Sequence, residues 1–101
     1  MKLNKVEKKG YAYLVKKYGV KEVFRRVINI PDFVVKNIGG FECKKLYSDM
    51  IILRKKQFKE LKMNKVLILC FDDVNDEPFI IDSVKLKESQ ENYGGIRIKW
   101  V

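Results

Sequence analysis

The spacing of hydrophobic residues predicts a helix at the start of the chain, over residues 3–18. At 100° per residue, one side of this helix carries Leu3, Tyr11, Leu14 and Tyr18. Most of its lysines fall on the opposite side. Gly19 follows as a stop, since glycine readily adopts the left-handed conformation that ends helices. Glu7 departs from the pattern because it lies near the centre of the apolar side.

Runs rich in β-branched and aromatic residues predict the strands that follow. The predicted strands are residues 22–30, 32–36, 40–45, 65–71, 79–86 and 95–101, and a second helix covers residues 54–63. The nearly continuous apolar run 65–71 is typical of a strand that is covered on both faces. Helix, three strands, helix and further strands indicate one mixed α/β domain over residues 1–101.

The second and third predicted strands form a hairpin that brings charged residues together. A three-residue loop at 37–39, with glycine at its left-handed position, pairs Asp32 with Lys44. Asp32, Glu42 and Lys44 then share one face, with the two carboxylates diagonal and about 7–8 Å apart by backbone. A four-residue loop would send Asp32 to the opposite face.

Two carboxylates and a lysine on one face suit a phosphate-processing metal site. Mg²⁺ takes a few carboxylate oxygens and keeps waters, and it can activate one of those waters against a phosphoryl group. Lys44 can orient the water or neutralise the developing charge, and the backbone carbonyl of Cys43 offers a further ligand. The alternative is an ordinary cross-strand Asp32–Lys44 pair on a surface hairpin.

Two polar side chains on the helices add to this pattern. Glu7 is costly to bury on an apolar face unless a metal or a lysine cluster pairs with it. A frayed helix end that leaves Glu7 solvated is the alternative. Gln57 lies on the inward margin of the second helix, beside the inward Leu61. It either faces the site or is a surface glutamine.

Composition narrows the class of protein. The chain has 22 Lys and Arg against 13 Asp and Glu, a net charge of +9, which points to a polyanionic partner or to a lysine-rich solubilising surface. The basic residues expected to contact nucleic acid are Lys8, Lys9, Arg54, Lys55, Lys56 and Lys59. The absence of histidine and the presence of two cysteines argue against a zinc site, a disulfide scaffold and histidine catalysis. No run is apolar enough for a membrane span or signal peptide, so we expect no membrane partner.

Pro31-Asp32 is followed by Glu42-Cys43-Lys44, and the predicted helices add a glutamate in the first and Gln57 in the second. This combination resembles the PD-(D/E)XK nuclease superfamily. Within it, the similarity is greatest to small archaeal Holliday-junction resolvases and compact viral or mobile-element nucleases. The similarity covers residues 5–71. Those resolvases run longer than this chain, and they often have a polar residue soon after Glu-x-Lys, whereas Ser48 is four residues beyond Lys44.

The resemblance implies a restriction-endonuclease-like core, a mixed sheet flanked by helices. It also implies that Asp32 and Glu42 bind Mg²⁺, for which Mn²⁺ can substitute, and that Lys44 assists the nucleophile. In the same family pattern Glu7 helps to hold metal or water, and Gln57 supports Lys44 or the phosphate.

The expected function is therefore that of a Mg²⁺-dependent, structure-selective DNA endonuclease. We expect a cytoplasmic homodimer of microbial or viral origin that acts in DNA recombination or repair, since symmetric cutting of two strands needs two sites. The alternatives are a non-catalytic nucleic-acid-binding module of the same fold and a structural or interaction protein.

Overall fold

The protein is an α/β structure, as the sequence predicts, and it has a mixed five-stranded sheet between two helices. The computed structural model describes residues 2–26, 31–48 and 50–86, and the backbone of 95–97. The helices are α1 (Lys5–Tyr18) and α2 (Lys55–Met63), and the strands are β1 (Val23–Arg25), β2 (Phe33–Val35), β3 (Gly39–Lys45), β4 (Met50–Ile52), β5 (Leu67–Phe71), β6 (Phe79–Asp82) and β7 (Gly95–Arg97). In the large sheet the strand order is β1-β2-β3-β5-β6, and β4 pairs with β7 separately. Only the β3–β5 pair is parallel among these described strands.

α1 packs against one face of the sheet, and α2 packs against the other face over β5 and β6. Leu14 of α1 packs in a core with residues of β1, β2, β3 and β5. Leu61 of α2 packs in a second core on the opposite face. β5 contributes to both cores, with Leu69 on the α1 face and Ile68 on the α2 face. This confirms the prediction of a strand that is covered on both faces.

The ends of α1 are set by capping residues. Asn4 and Glu7 form a capping box, in which the side chain of each accepts a hydrogen bond from the backbone N–H of the other, at 2.8 and 2.9 Å. The predicted stop at Gly19 is confirmed, since that residue has φ 96° and donates its N–H to the Val15 carbonyl. Neither described helix has the length and apolarity needed to cross a membrane.

Several predicted strands are shorter than expected. The predicted strand 22–30 contains only β1, preceded by a short 3₁₀ turn, and residues 27–30 lie outside the described part. The predicted strand 79–86 ends at Asp82, because the Asp82 carboxylate accepts the Val84 N–H and starts a 3₁₀ turn. Of the predicted strand 95–101, β7 covers 95–97, and Trp100 lies outside the described residues.

The predicted register of the β2–β3 hairpin is wrong by two residues. Phe33 pairs with Phe41 and Val35 pairs with Gly39, so the connecting loop is residues 36–38 rather than 37–39. Asn37, the second residue of this loop, takes the left-handed conformation with φ 66°, and Gly39, which the prediction placed there, begins β3 with φ 136°. Because side chains alternate with a period of two, the shift leaves every residue on its predicted face.

α1 lies so close to β3 that Gly10 has no room for a side chain. A Cβ at this position would overlap the Sγ of Cys43. We expect Gly10→Ala to lower the free energy of unfolding by about 1–2 kcal/mol, since overpacking costs about 1–3 kcal/mol and the gain in helix propensity returns only part of it. Urea denaturation measures the loss.

Cys43→Ala provides the matched background for this test, because it removes the overlapping sulfur. Gly10→Ala should cost less in that background than in the native chain. A Gly10→Ala protein as stable as the native one would contradict the close packing of α1 on β3.

Candidate active site

The structure brings Asp32 and Glu42 together through two backbone hydrogen bonds. The Asp32 N–H donates to Oε1 of Glu42 at 3.0 Å. The Cys43 N–H donates to Oδ2 of Asp32 at 2.9 Å. Each carboxylate is thus held by the backbone of the opposite strand. The two-residue difference in register places the acids closer than the diagonal arrangement expected from sequence, and it overturns the predicted pairing of Asp32 with Lys44.

Burial and mutual repulsion act strongly on these two acids. Glu42 is only 3 % exposed. Its burial, and then the negative charge of Asp32, raise the pKa of Glu42 from 4.5 to about 8. Burial also raises the pKa of Asp32, and the attraction of Lys44 offsets part of the shift in both acids. The pair therefore favours holding a proton or a cation at neutral pH.

No described side chain forms a salt bridge with either acid. Among the described residues the ion pairs within 4 Å are Lys45–Asp73 and Lys56–Glu60. Two adjacent carboxylates without a close cation form a donor set that suits a hard divalent ion, which would complete its shell with water and phosphate oxygens. No group of three metal-ligating side chains occurs in the described part of the chain, so the protein's own share would be small.

Lys44 and Gln57 meet beside the acids. Lys44 alternates with Cys43 along β3 and so lies on the same sheet face as Glu42. Its Nζ donates to Oε1 of Gln57 at 3.1 Å. Gln57 lies in the first turn of α2, so this bond joins the strand that carries Glu42 to the helix above it. The structure thus brings together four of the residues predicted for the site.

Glu7 has a local role that the sequence interpretation missed. It is half-buried, and its carboxylate accepts the Asn4 N–H in the capping box. The pattern Asn4-x-x-Glu7 is the sequence signature of such a box and could have been recognised. The charge of Glu7 still reaches the site, because it contributes to the raised pKa of Asp32. A role in holding metal remains a prediction.

Cys43 contacts the acid site through its backbone and the core beneath α1 through its side chain. Its N–H supports Asp32, while its side chain is buried in that core. Burial raises the pKa of the Cys43 thiol, and it does the same at Cys70. Both thiols are free and buried, which confirms that they are core residues. The use of the Cys43 carbonyl as a metal ligand remains a prediction.

Most of the basic residues predicted to contact nucleic acid are exposed. The exposed ones are Lys8, Arg54, Lys55, Lys56 and Lys59. Lys9 is different, because its Nζ donates to the carbonyl oxygens of Asp72 and Asn75 at 3.1 and 3.3 Å. These hydrogen bonds connect α1 to the turn that follows β5. Sequence analysis gave no signal for this contact, which joins residues far apart in the chain.

No protein-family model, curated protein or solved structure matches this chain. The residues that the structure brings together at this site are the two acids and the linked pair Lys44 and Gln57.

Proposed function

We propose that this protein is a divalent-metal-dependent nuclease that hydrolyses phosphodiester bonds in DNA. The observation that carries the proposal is the juxtaposition of Asp32 and Glu42 with the Lys44–Gln57 pair on one sheet face. Acids that share a metal, next to an amine that can stabilise negative charge, meet the needs of phosphodiester hydrolysis.

Each of these residues has a defined task in this proposal. Asp32 and Glu42 would hold Mg²⁺ or Mn²⁺, which supplies polarisation of a phosphoryl oxygen and acidification of a bound water. Lys44 would orient that water or stabilise the charge that develops on the phosphoryl oxygens. Gln57 would position the Lys44 amine through the bond that the two side chains already make.

The order of elements supports a restriction-endonuclease-like core. α1, the antiparallel strands β1, β2 and β3, the helix α2 and the parallel strand β5 follow one another along the chain, apart from the inserted β4. Asp32 immediately precedes the second strand, and Glu42 and Lys44 lie in the third. The resemblance to PD-(D/E)XK nucleases implies this placement.

The charge of the protein supports a polyanionic substrate. A net charge of +9 and the exposed basic residues at the start of α2 suit phosphate contacts, which give affinity with little reading of sequence. We therefore propose that the nuclease selects DNA structure, such as a junction or a flap. Two cuts on opposite strands would require a homodimer.

A panel of substrates tests the proposal. The purified protein is incubated with supercoiled plasmid, linear duplex, four-way junction, flap and single-stranded RNA, in Mg²⁺ or in EDTA. We expect cleavage of the branched DNA in Mg²⁺ and none in EDTA. The Glu42→Gln protein, prepared identically, controls for contaminating nucleases.

The other outcomes would reject the proposal in distinct ways. Salt-sensitive binding of DNA without cleavage in Mg²⁺ or Mn²⁺ would indicate a non-catalytic binding module. If the protein neither binds nor cleaves DNA, its positive charge serves only to keep the surface solvated. Cleavage that survives in the Glu42→Gln preparation would come from another enzyme.

A further inference from the structure

Within the described residues, neither helix packs over β1 and β2 on the sheet face that α2 contacts. The core beneath α2 contains no residue of β1 or β2, within the described part of the chain. Val23 and Val35 face the α1 core, so Phe24 and Val34, which pair across the strands, lie on the opposite face. Phe24 is 53 % exposed and Val34 is half-buried. An exposed aromatic ring therefore lies on this face of the two strands.

This open face continues directly into the candidate active site. The Arg26 N–H donates to the Asp32 carbonyl at 2.8 Å, which extends the β1–β2 ladder and sets Arg26 opposite Asp32. Phe24 is one strand across from Asp32 and two residues along. Standard strand dimensions then put their Cα atoms about 8 Å apart. Arg26 is exposed and lies on the same face as both.

We propose that this open face binds unpaired nucleotides beside the scissile phosphate, with Phe24 stacking on a base and Arg26 contacting the backbone. The identity of the polyanion rests on the proposed function. Any base offers a flat face to an aromatic ring, but in a duplex that face is covered by its neighbours. At about 3.4 Å per stacked nucleotide, a base on Phe24 lies about two nucleotides from a phosphate at the acids.

The charge of the molecule favours nucleic acid over a second copy of the chain as the occupant of this face. Two copies joined through this face would bring exposed Arg26 side chains close together, so the proposed homodimer would use another surface. A phosphate backbone is attracted by the same charges. The ligand class is therefore DNA with an unpaired stretch, as at a flap or an open junction.

Binding assays without cleavage test the role of Phe24. Fluorescence anisotropy in EDTA compares an oligothymidylate with an abasic oligomer of equal length. We expect the native protein to prefer the oligothymidylate, and Phe24→Ala to weaken that binding about 5- to 150-fold, the equivalent of about 1–3 kcal/mol per stacked base. Affinity for the abasic oligomer should not change, and Phe24→Trp should retain the preference.

Two further variants separate stacking from other effects. Ile80→Ala removes a hydrophobic side chain of similar exposure from the opposite edge strand β6, and it should leave both affinities unchanged. Arg26→Gln should weaken binding of both oligomers equally and reduce the slope of log affinity against log salt by about 1.

Several results would overturn this inference. They are equal affinity of the native protein for the two oligomers, an unchanged preference in Phe24→Ala, and a native dimer that Phe24→Ala dissociates in sedimentation. Because the assay needs no cleavage, a base preference that depends on Phe24 would stand even if the metal-dependent activity failed. Cleavage of branched DNA by Phe24→Ala at the native rate, together with unchanged binding, would reject only the role of the open face.

Discussion

Glu42→Gln is expected to stabilise the metal-free protein at alkaline pH while it abolishes both the response to Mg²⁺ and the cleavage of DNA. Burial and the charge of Asp32 raise the pKa of Glu42 to about 8, so the folded protein holds this proton more tightly than the unfolded chain does. This tighter proton binding stabilises the folded protein fully below pH 4.5, and the stabilisation is lost as the pH rises through about 8. Glutamine cannot ionise, so the variant should avoid a loss on the order of 2–4 kcal/mol.

The same pKa sets the pH dependence of the metal response. Mg²⁺ has to displace the proton that Glu42 holds below about pH 8, so it should raise the melting temperature of the native protein more at pH 8.5 than at pH 6. Glutamine keeps an oxygen that can accept the Asp32 N–H but removes a charged ligand, so Glu42→Gln should show no such rise. Thermal melts with Mg²⁺ or EDTA across this pH range measure both effects.

A matched control is Glu60→Gln, which makes the same substitution on α2, where the partly exposed Glu60 pairs with Lys56 at 4.0 Å. It should change neither the pH dependence nor the Mg²⁺ response. A Glu42→Gln protein that is still stabilised by Mg²⁺, or that is less stable than the native protein at pH 9, would refute the metal site.

Lys44→Ala is expected to lower kcat/KM for DNA cleavage by about 100-fold or more while metal binding persists. The Lys44 amine lies beside the acids and is tied to Gln57, where it can stabilise charge only as the reaction develops it. The Mg²⁺-induced rise in melting temperature should remain. Single-turnover cleavage with excess enzyme measures the rate, and thermal melts measure the metal response.

Lys45→Ala is the control for the loss of one positive charge. Lys45 is the next residue of β3, lies on the other face of the strand and forms an exposed ion pair with Asp73 at 3.7 Å. Its removal should leave cleavage near the native rate. If Lys44→Ala and Lys45→Ala slow cleavage equally, Lys44 acts only through the general charge of the surface.

The sequence predicted those features that depend on periodicity. A 3.6-residue pattern located α1, and a continuous apolar run located β5 as the strand between two cores. Alternation along β3 also put Glu42 and Lys44 on one face, and that result survives any shift of register by two residues. The face that carries the acids was therefore predictable, although their direct contact was not.

The remaining features depend on local chemistry or on distant contacts. Asn37 competes with Gly39 for the left-handed turn position, and the apolar pattern is the same for both registers. The strand β4 has three residues and too short a pattern to detect. The Lys44–Gln57 bond depends on how α2 crosses from β3 to β5, which no local pattern specifies.

The placement of the two cysteines allows their alkylation to report which helix separates from the sheet. Cys43 and Cys70 lie on neighbouring strands, but one thiol is sealed beneath α1 and the other lies in the core beneath α2. Thiolate is the reactive form, and burial raises the pKa of both thiols. An alkylating reagent can therefore modify each sulfur only when the helix that covers it separates from the sheet. Departure of α1 would expose Cys43 first and loosen the strand whose N–H holds Asp32. The order in which the two sulfurs are alkylated would show whether the acid site loses its structure before the rest of the protein unfolds.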